Sequence, residues 1–550
     1  MASPFPAPAS KRRHLTTNWR SGLLTGLCTS ALFLGWSSAA RADGLPQSQI
    51  AQDRARLGNS TPLINQTDPA TVRESMAAAE PPKADSADNK DDFDASDKLL
   101  GDPWGARSWL AKHGITIDIQ EVDELWGNAT GGTPSQADGN AAWGGDGHGS
   151  GTGAAYDGVT MPTLQIDTEK LFGLHGGLFN VSALQIRGRS MSQDHLGVFN
   201  PASGFEADRS TRLFELWYQQ SFLHDKLDIK IGQQDLDTEF LISDYGALYL
   251  NSNFGWPMAP SVNLYAGGPS WPLASPAVRI RYRPTDDFTF MFAAADDNPP
   301  GNKNNSFGIQ NGGNSADPTN QNTNNENGAN FNMGTGALLI TELQYATSIG
   351  GSDDGHGHKT EGLPGVYKLG GYYDTARFPS YLRNNMGQPL GSSSDTTGIP
   401  KWKRGNWMVY GIIDQMVWRP SADSPQSLGV FARVTGNGGD RNLISFAVDA
   451  GVNLKAPFKG RDNDTLGLGW GIGRPTYGQR QYDRNSGSIV QRNENHIELT
   501  YQAQVMPWWV IQPDFQYVWR PGGGVQDYGS SHLRRVRDEA IFGLHSSINF

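Results

Sequence analysis

From Ile115 to the end of the chain, apolar and polar residues alternate in short runs. In His496–Val505, Ile497, Leu499, Tyr501, Ala503 and Val505 share one parity, and His496, Glu498, Thr500, Gln502 and Gln504 share the other. Leu466, Leu468, Trp470 and Ile472 alternate with Gly467, Gly469, Gly471 and Gly473, and Phe288, Phe290 and Phe292 line up in a third run. Side chains on a strand point to opposite faces in turn, so each run predicts a strand with one oily face and one polar or minimal face. Clusters of Gly, Asn, Asp and Pro separate the runs.

A sandwich that buries its oily faces shows the same alternation. Three features predict the inverted arrangement, with hydrocarbon outside and water inside. The runs are too many for one sandwich. Their ends are aromatic (Trp407, Trp418, Trp508, Trp509, Tyr517 and Trp519), as at a membrane interface. Their connections alternate between short turns and long polar loops, the longest covering residues 298–334. Hydrocarbon offers the backbone no hydrogen-bond partner, so a sheet that spans it must close on itself. The predicted fold class is all-β: a transmembrane antiparallel β-barrel preceded by a short helix within "GDPWGARSWLAKHG". The final run places Ala540, Phe542, Leu544, Ser546, Ile548 and Phe550 toward lipid, and Ile541, Gly543, His545, Ser547 and Asn549 toward the lumen.

Composition supports this class. Of 550 residues, 37% are hydrophobic and 18% charged, and 67 are glycine. A mean hydropathy of −0.51 is too low for a helical membrane protein. Lys11, Arg12, Arg13 and Arg20, then the apolar "GLLTGLCTSALFLGW" and Ala40-Arg41-Ala42, predict a cleaved secretory signal over 1–42. Cys28, the one cysteine, falls inside it after Leu27, which is not the small residue that a lipid-anchor site requires. The chain from Asp43 carries 40 basic and 56 acidic residues, a net of −16, a poor match for nucleic acid or anionic lipid. Residues 43–98, rich in Ala, Asp, Ser and Pro, predict a mostly disordered tail, with a short helical piece around "DPATVRESMAAAE" that has Asp68 as its cap and Pro69 at its first position. The barrel domain then covers 99–550.

Four blocks carry a resemblance. "GDPWGARSWLAKHGITIDI" is similar to a Gly-Asp-Trp-Gly-Gly-x-Arg helix followed by a first strand, with Pro103 inserted before Trp104 and Ala106 in place of a glycine. "RLFELWYQQSFLHDKLDIKIGQQDLDTEFL", "GLPGVYKLGGYYDTARF" and "QPDFQYVWRPGG" follow in order. Together, from about Gly101 to Phe550, they resemble the carbohydrate-selective porins of OprB type. The resemblance implies a sixteen-stranded barrel, monomeric or homotrimeric, through which glucose-like sugars diffuse across an outer membrane without catalysis and without a cofactor. Its partners would be mono- or oligosaccharides, outer-membrane lipid and the barrel assembly machinery, which reads a terminal aromatic such as Phe550. In this family an arginine and a glutamate oppose each other at a narrowing. In "LQIRGRSMSQD", Arg187 is the nearest match and Arg189 the second; in "ASGFEADRSTR", Glu206 matches the carboxylate loosely, with Asp208, Arg209 and Arg212 as substitutes.

Two further candidates come from the residues alone. In "AVRIRYRP", Arg279, Arg281 and Arg283 share one parity. Facing lipid, each would cost about 2–4 kcal/mol at mid-membrane, so they are expected to form a basic ladder along the lumen. The alternative pairs them with Asp286 and Asp287 at a turn. Glu215, Trp217 and Gln219 share a face that is either lumenal or, for Trp217, part of the lipid girdle. Guanidinium groups suit sugars because hydroxyls both donate and accept.

Other readings carry less. His356 and His358 with Asp353 and Asp354, and His148 with its glycines, read as polar loops in preference to metal sites. A barrel enzyme would need a triad at the lipid-facing rim, whereas His545 and Ser547 point inward. A secreted sugar-binding β protein would pair its oily faces inside. A porin for small organic anions or general solutes stays open, because an arginine ladder favours anions.

Overall fold

The computed structural model describes residues 95–133, 151–300, 325–331, 333–350, 352–353, 359–360, 362–421, 424–527 and 530–550. The predicted signal, nearly all of the predicted tail, His148, Asp354, His356, His358 and most of the 298–334 loop lie outside these residues.

Sixteen of the described strands form one closed antiparallel barrel. In chain order they are β1 (Ile115–Thr130), β2 (Gly153–Asp167), β3 (Gly177–Gly188), β4 (Ser210–Phe222), β5 (Leu227–Gln234) and β6 (Ser275–Tyr282). There follow β7 (Phe288–Asp296), β8 (Ala337–Ile349), β9 (Leu363–Asn384), β10 (Pro400–Trp418) and β11 (Ser427–Asn437). The last are β12 (Ile444–Lys455), β13 (Thr465–Pro475), β14 (Glu494–Met506), β15 (Trp509–Trp519) and β16 (Glu539–Asn549). Each pairs with the next, and β16 closes on β1 with Leu544 opposite Leu125.

The two parities separate as the alternation predicts. Leu468, Leu499 and Phe542 are exposed on the outside, while Glu498, Gln502 and Gln516 on the inner face are fully buried. Trp418 and Trp519 stand exposed at strand ends, whereas Trp407 is exposed midway along β10 and not at its end. The glycines of β13 have a spatial reason. A Cβ at Gly467 would meet Leu248 at 2.6 Å, and one at Gly469 would meet Phe254 at 2.7 Å. The bare wall makes room for a ring cluster of Tyr245, Leu248, Tyr249, Phe254 and Phe431. Most of that cluster belongs to residues 235–274, which connect β5 to β6 and fold into the barrel.

The predicted helix forms as α1 (Ala106–Lys112) after a tight turn at Pro103–Gly105. It holds the seam. Arg107 donates to the main-chain oxygens of Phe550 at 2.6 Å and Gly101 at 3.4 Å, and Phe550 N–H donates to Ile119 at 2.9 Å. A bond from a charged donor contributes about 1.5–3 kcal/mol. Arg107→Ala is therefore expected to lower the temperature at which the folded barrel loses its fast mobility in unheated dodecyl sulfate gels; unchanged melting would show that the clasp contributes nothing.

At the opposite end, Asp395 organises the 385–399 loop. It accepts from the N–H groups of Gly391 (2.9 Å), Thr397 (3.2 Å) and Gly398 (2.8 Å) and from Asn384 Nδ2 (2.7 Å). These bonds, the Gly391 N–H first, bring its carboxyl down to about 2. A depressed carboxyl stabilises the loop above its ordinary range and loses that contribution as pH falls through about 2. Pepsin cleavage within the loop should therefore rise toward pH 2 in the native chain, whereas Asp395→Asn should be cleaved already in the ordinary carboxylate range.

Candidate functional site

A segment inside the lumen leaves its main-chain groups without a sheet partner, and buried N–H and C=O groups require partners. The wall supplies them by charge. Glu498 accepts from the N–H groups of Leu250 (2.6 Å) and Asn251 (3.1 Å), Glu342 from Leu241 (3.0 Å), and Glu215 from Asp235 (3.1 Å). Asp414 accepts from Ser243 Oγ at 2.6 Å and Tyr245 N–H at 3.3 Å. Cations take the carbonyls. Arg433 on β11 donates to Leu241, Asn253 and Gly255, balanced by Asp449 at 3.0 Å, and Lys368 donates to Ile242 at 2.8 Å. Residues 189–209 join the filling: Glu494 accepts from Phe199 N–H at 2.9 Å, and Gln516 donates to Ala202 at 2.7 Å.

Beside this filling, β4, β5 and β6 carry a dense charged wall. Arg279 lies against Asp228, donates to Gln219 Oε1 at 2.7 Å and pairs with Glu239 at 2.6 Å. Arg281 pairs with Asp228 at 2.8 Å, and Lys230 pairs with Glu239 while standing 4.3 Å over the Trp217 ring. Three cations are thus interleaved with carboxylates from β5 and from the inserted segment. Such an arrangement offers donors and acceptors side by side without a large net field.

A closed apolar-out barrel with a loop-narrowed, polar lumen is a channel architecture, and sequence comparison decides which kind. The sequence model of "Carbohydrate-selective porin, OprB family" matches residues 151–550. The chain belongs to that family. OprB-family porins are outer-membrane channels, which makes the outward parity of this barrel a lipid-facing one. Porin B of Pseudomonas aeruginosa is 26% identical over 471 residues, covering 81% of this chain and 91% of its own. A putative porin, QuiX, of Acinetobacter baylyi is 21% identical over 358 residues, covering 62% and 69%. The high-pH structure of Pseudomonas putida OprB shares the fold, with a TM-score of 0.64 at 21% identity, over 83% of this chain and 99% of that one.

Within this OprB-family barrel the sequence candidates scatter. Arg187 is not opposite Glu206. It lies on the outer face of β3, because Leu184 and Ile186 take the inner parity, and it pairs with Glu121 and with Asp123 at 2.7 Å. Arg189 pairs with Asp194 at 2.7 Å and is largely exposed. Glu206 is buried within residues 189–209, where it accepts from Ser190 Oγ (2.5 Å), Ser192 N–H (2.7 Å) and Ser192 Oγ (2.8 Å). Burial pushes its carboxyl up, and the two serines offset part of that shift. This carboxylate staples its own loop. Asp208 accepts from Gln193 at 3.3 Å, Arg209 is exposed, and Arg212 reaches the Asn325 carbonyl at 3.3 Å.

Glu215, Trp217 and Gln219 do share the lumenal face, and all three are buried, so Trp217 is not a girdle residue. Arg279 and Arg281 of the arginine ladder face inward from β6, and Arg283, just beyond its end, comes within 3.9 Å of the same Asp228 while donating to the Asp225 carbonyl at 2.7 Å. The residues missed were Asp228, Lys230, Glu239 and Arg433. For the first two the signal was present: Asp228 and Lys230 alternate with Leu227, Ile229 and Ile231 in β5.

Arg433 ties three carbonyls of the inserted segment to one wall strand. Arg433→Ala removes those bonds and leaves Asp449 buried without its partner, a loss of about 3–5 kcal/mol for a buried pair. The barrel should still form, and single-channel conductance should rise as the segment loosens; a variant with native conductance would show that the segment is held without it.

Proposed function

We propose that glucose-like monosaccharides, and short oligosaccharides of them, diffuse passively through this lumen along the wall formed by Gln219, Lys230, Arg279 and Arg281. The observation that carries the reading is the pairing of every lumenal cation of that wall with a carboxylate. Two of its buried donors, Gln219 Nε2 and Arg281 Nη2, have no acceptor among the described residues. Hydroxyl oxygens match them chemically, but both are closed off from solvent beside Asp228 and Glu239, so a sugar reaches them only by displacing the inserted segment.

The same pairing speaks against small organic anions as the main cargo. An unpaired arginine ladder would attract carboxylates, but here Asp228 and Glu239 neutralise it locally. Selectivity in such a passage follows from the groups that line its narrowing. Phe550, with its main chain locked by Arg107 and Ile119, fits a role as the terminal residue that the barrel assembly machinery recognises.

Planar-bilayer conductance tests the wall. Glucose is expected to block the native channel, and Arg281→Ala should weaken that block roughly tenfold, since a hydrogen bond from a charged donor contributes about 1.5–3 kcal/mol. Unchanged block in that variant removes the wall assignment. Faster permeation by small carboxylates than by glucose in liposome swelling removes the sugar reading itself.

A further inference from the structure

The neck between β7 and β8 holds two buried acids that no basic side chain offsets. β7 ends at Asp296, and the chain returns through Gly334, Thr335 and Gly336 into β8. Strand register sets acids from both flanks of β8 on nearly one level: Asp296 lies opposite Ala337, and Asp374 of β9 lies opposite Leu338. Gly336 stands between the flanks. A Cβ there would meet Asp297 Oδ1 at 2.9 Å and the Ala376 Cβ at 2.9 Å, so the bare glycine lets Asp297 reach across the start of β8 toward β9. Long connections of an outer-membrane barrel lie on its outer side, which places this neck at the outer rim.

Both carboxylates are fully buried. Through Oδ1, Asp297 accepts from Thr335 Oγ1 at 2.8 Å and Asp374 from the Ala376 N–H at 2.8 Å. The second oxygen of each, Oδ2, has no hydrogen-bond partner among the described residues. Neither acid has a lysine, arginine or histidine beside it among those residues, and the charges that reach Asp374 are those of Asp297 and Asp296. A buried carboxylate requires a paired charge or a metal. Burial pushes the Asp297 carboxyl up, a cost that an adjoining cation removes. Other acid pairs of this barrel, Glu498 with Asp514 and Asp235 with Asp237, stand close enough to share a proton. Asp297 and Asp374 feel each other with no hydrogen bond between them, so a shared proton does not bridge this gap.

We infer that Asp297 and Asp374 hold a calcium-type divalent cation, which ties the β7–β8 neck to β9. The donors around them are oxygens, which suit a hard ion. The Tyr372 hydroxyl, two positions before Asp374, is buried without a partner among the described residues, and Tyr265 of the inserted segment lies within the field of both acids while donating to the Arg377 carbonyl. No three carboxylates or histidines converge as a metal cage among the described residues, so neutral oxygens complete the shell, as calcium tolerates. Magnesium dehydrates reluctantly and demands near-octahedral geometry, which suits a buried, irregular gap less well. The inference is independent of the solute that the lumen passes.

Terbium, a luminescent substitute for calcium, tests it, because Tyr265 and Tyr372 stand where they can sensitise its emission. Detergent-extracted native protein stripped with EGTA should give tyrosine-sensitised emission when terbium is added, and calcium should displace it at lower concentration than magnesium. Asp297→Asn and Asp374→Asn should each weaken terbium binding by more than about tenfold, since loss of an outer-shell partner alone costs about that much. Asp440→Asn, whose carboxylate already pairs with Lys403 and with Arg441 at 2.9 Å, should bind as the native chain does. Each variant is first checked for heat-modifiable mobility, so that only folded barrels are compared. A second reading rests on the native chain: EGTA should lower the temperature at which it loses fast gel mobility, and calcium should restore it, whereas Asp297→Asn/Asp374→Asn should melt alike in both. No sensitised emission, equal displacement by magnesium, unchanged terbium binding in the two single variants, or native melting indifferent to calcium would each overturn the assignment.

Discussion

Main-chain hydrogen bonding without water is the constraint on which this structure rests. On the outside, hydrocarbon forces every strand to find two neighbours, which is why β16 must meet β1 and why the ladder has no edge. Inside, the same requirement falls on residues 235–274, which have no ladder of their own. Their N–H groups go to Glu342, Glu215, Asp414 and Glu498, and their carbonyls to Arg433 and Lys368. Wall charge is used first to build the narrowing, and only the remainder is available to a solute.

The barrel was legible because one physical rule, alternation of faces, writes itself into consecutive residues. Ile497 to Val505 and the Leu-Gly run of β13 each declare their inner and outer parity directly. The short helix before β1 was legible for a similar local reason. The site was not, because its defining bonds are distant in sequence: Arg433 meets the Leu241 carbonyl 192 positions away, and Glu498 meets the Leu250 N–H 248 positions away. Nothing in the neighbourhood of either residue announces its partner.

Arg187 shows where alternation itself fails. In "GLFNVSALQIRG" both parities are apolar for most of their length, so the run does not say which side faces lipid. Leu184 and Ile186 turn inward because residues of the inserted loops, Phe205 and Ala274 among them, cover them there. A lumen filled with protein accepts apolar wall residues that a water-filled one would not. Asn180 and Ser182 stay on the inner face, but Gln185 and Arg187 at the far end of β3 are left on the outside, and the rule inverts there.

The glycine stripe of β13 has a consequence for how such a conduit can change. Residues 467 and 469 set how far Leu248, Tyr249 and Phe254 of the filling can lean back against the wall. A methyl group added there acts as a shim, displacing the filling toward the axis. The bore is therefore adjustable from behind, through positions whose chemistry leaves the recognition groups untouched.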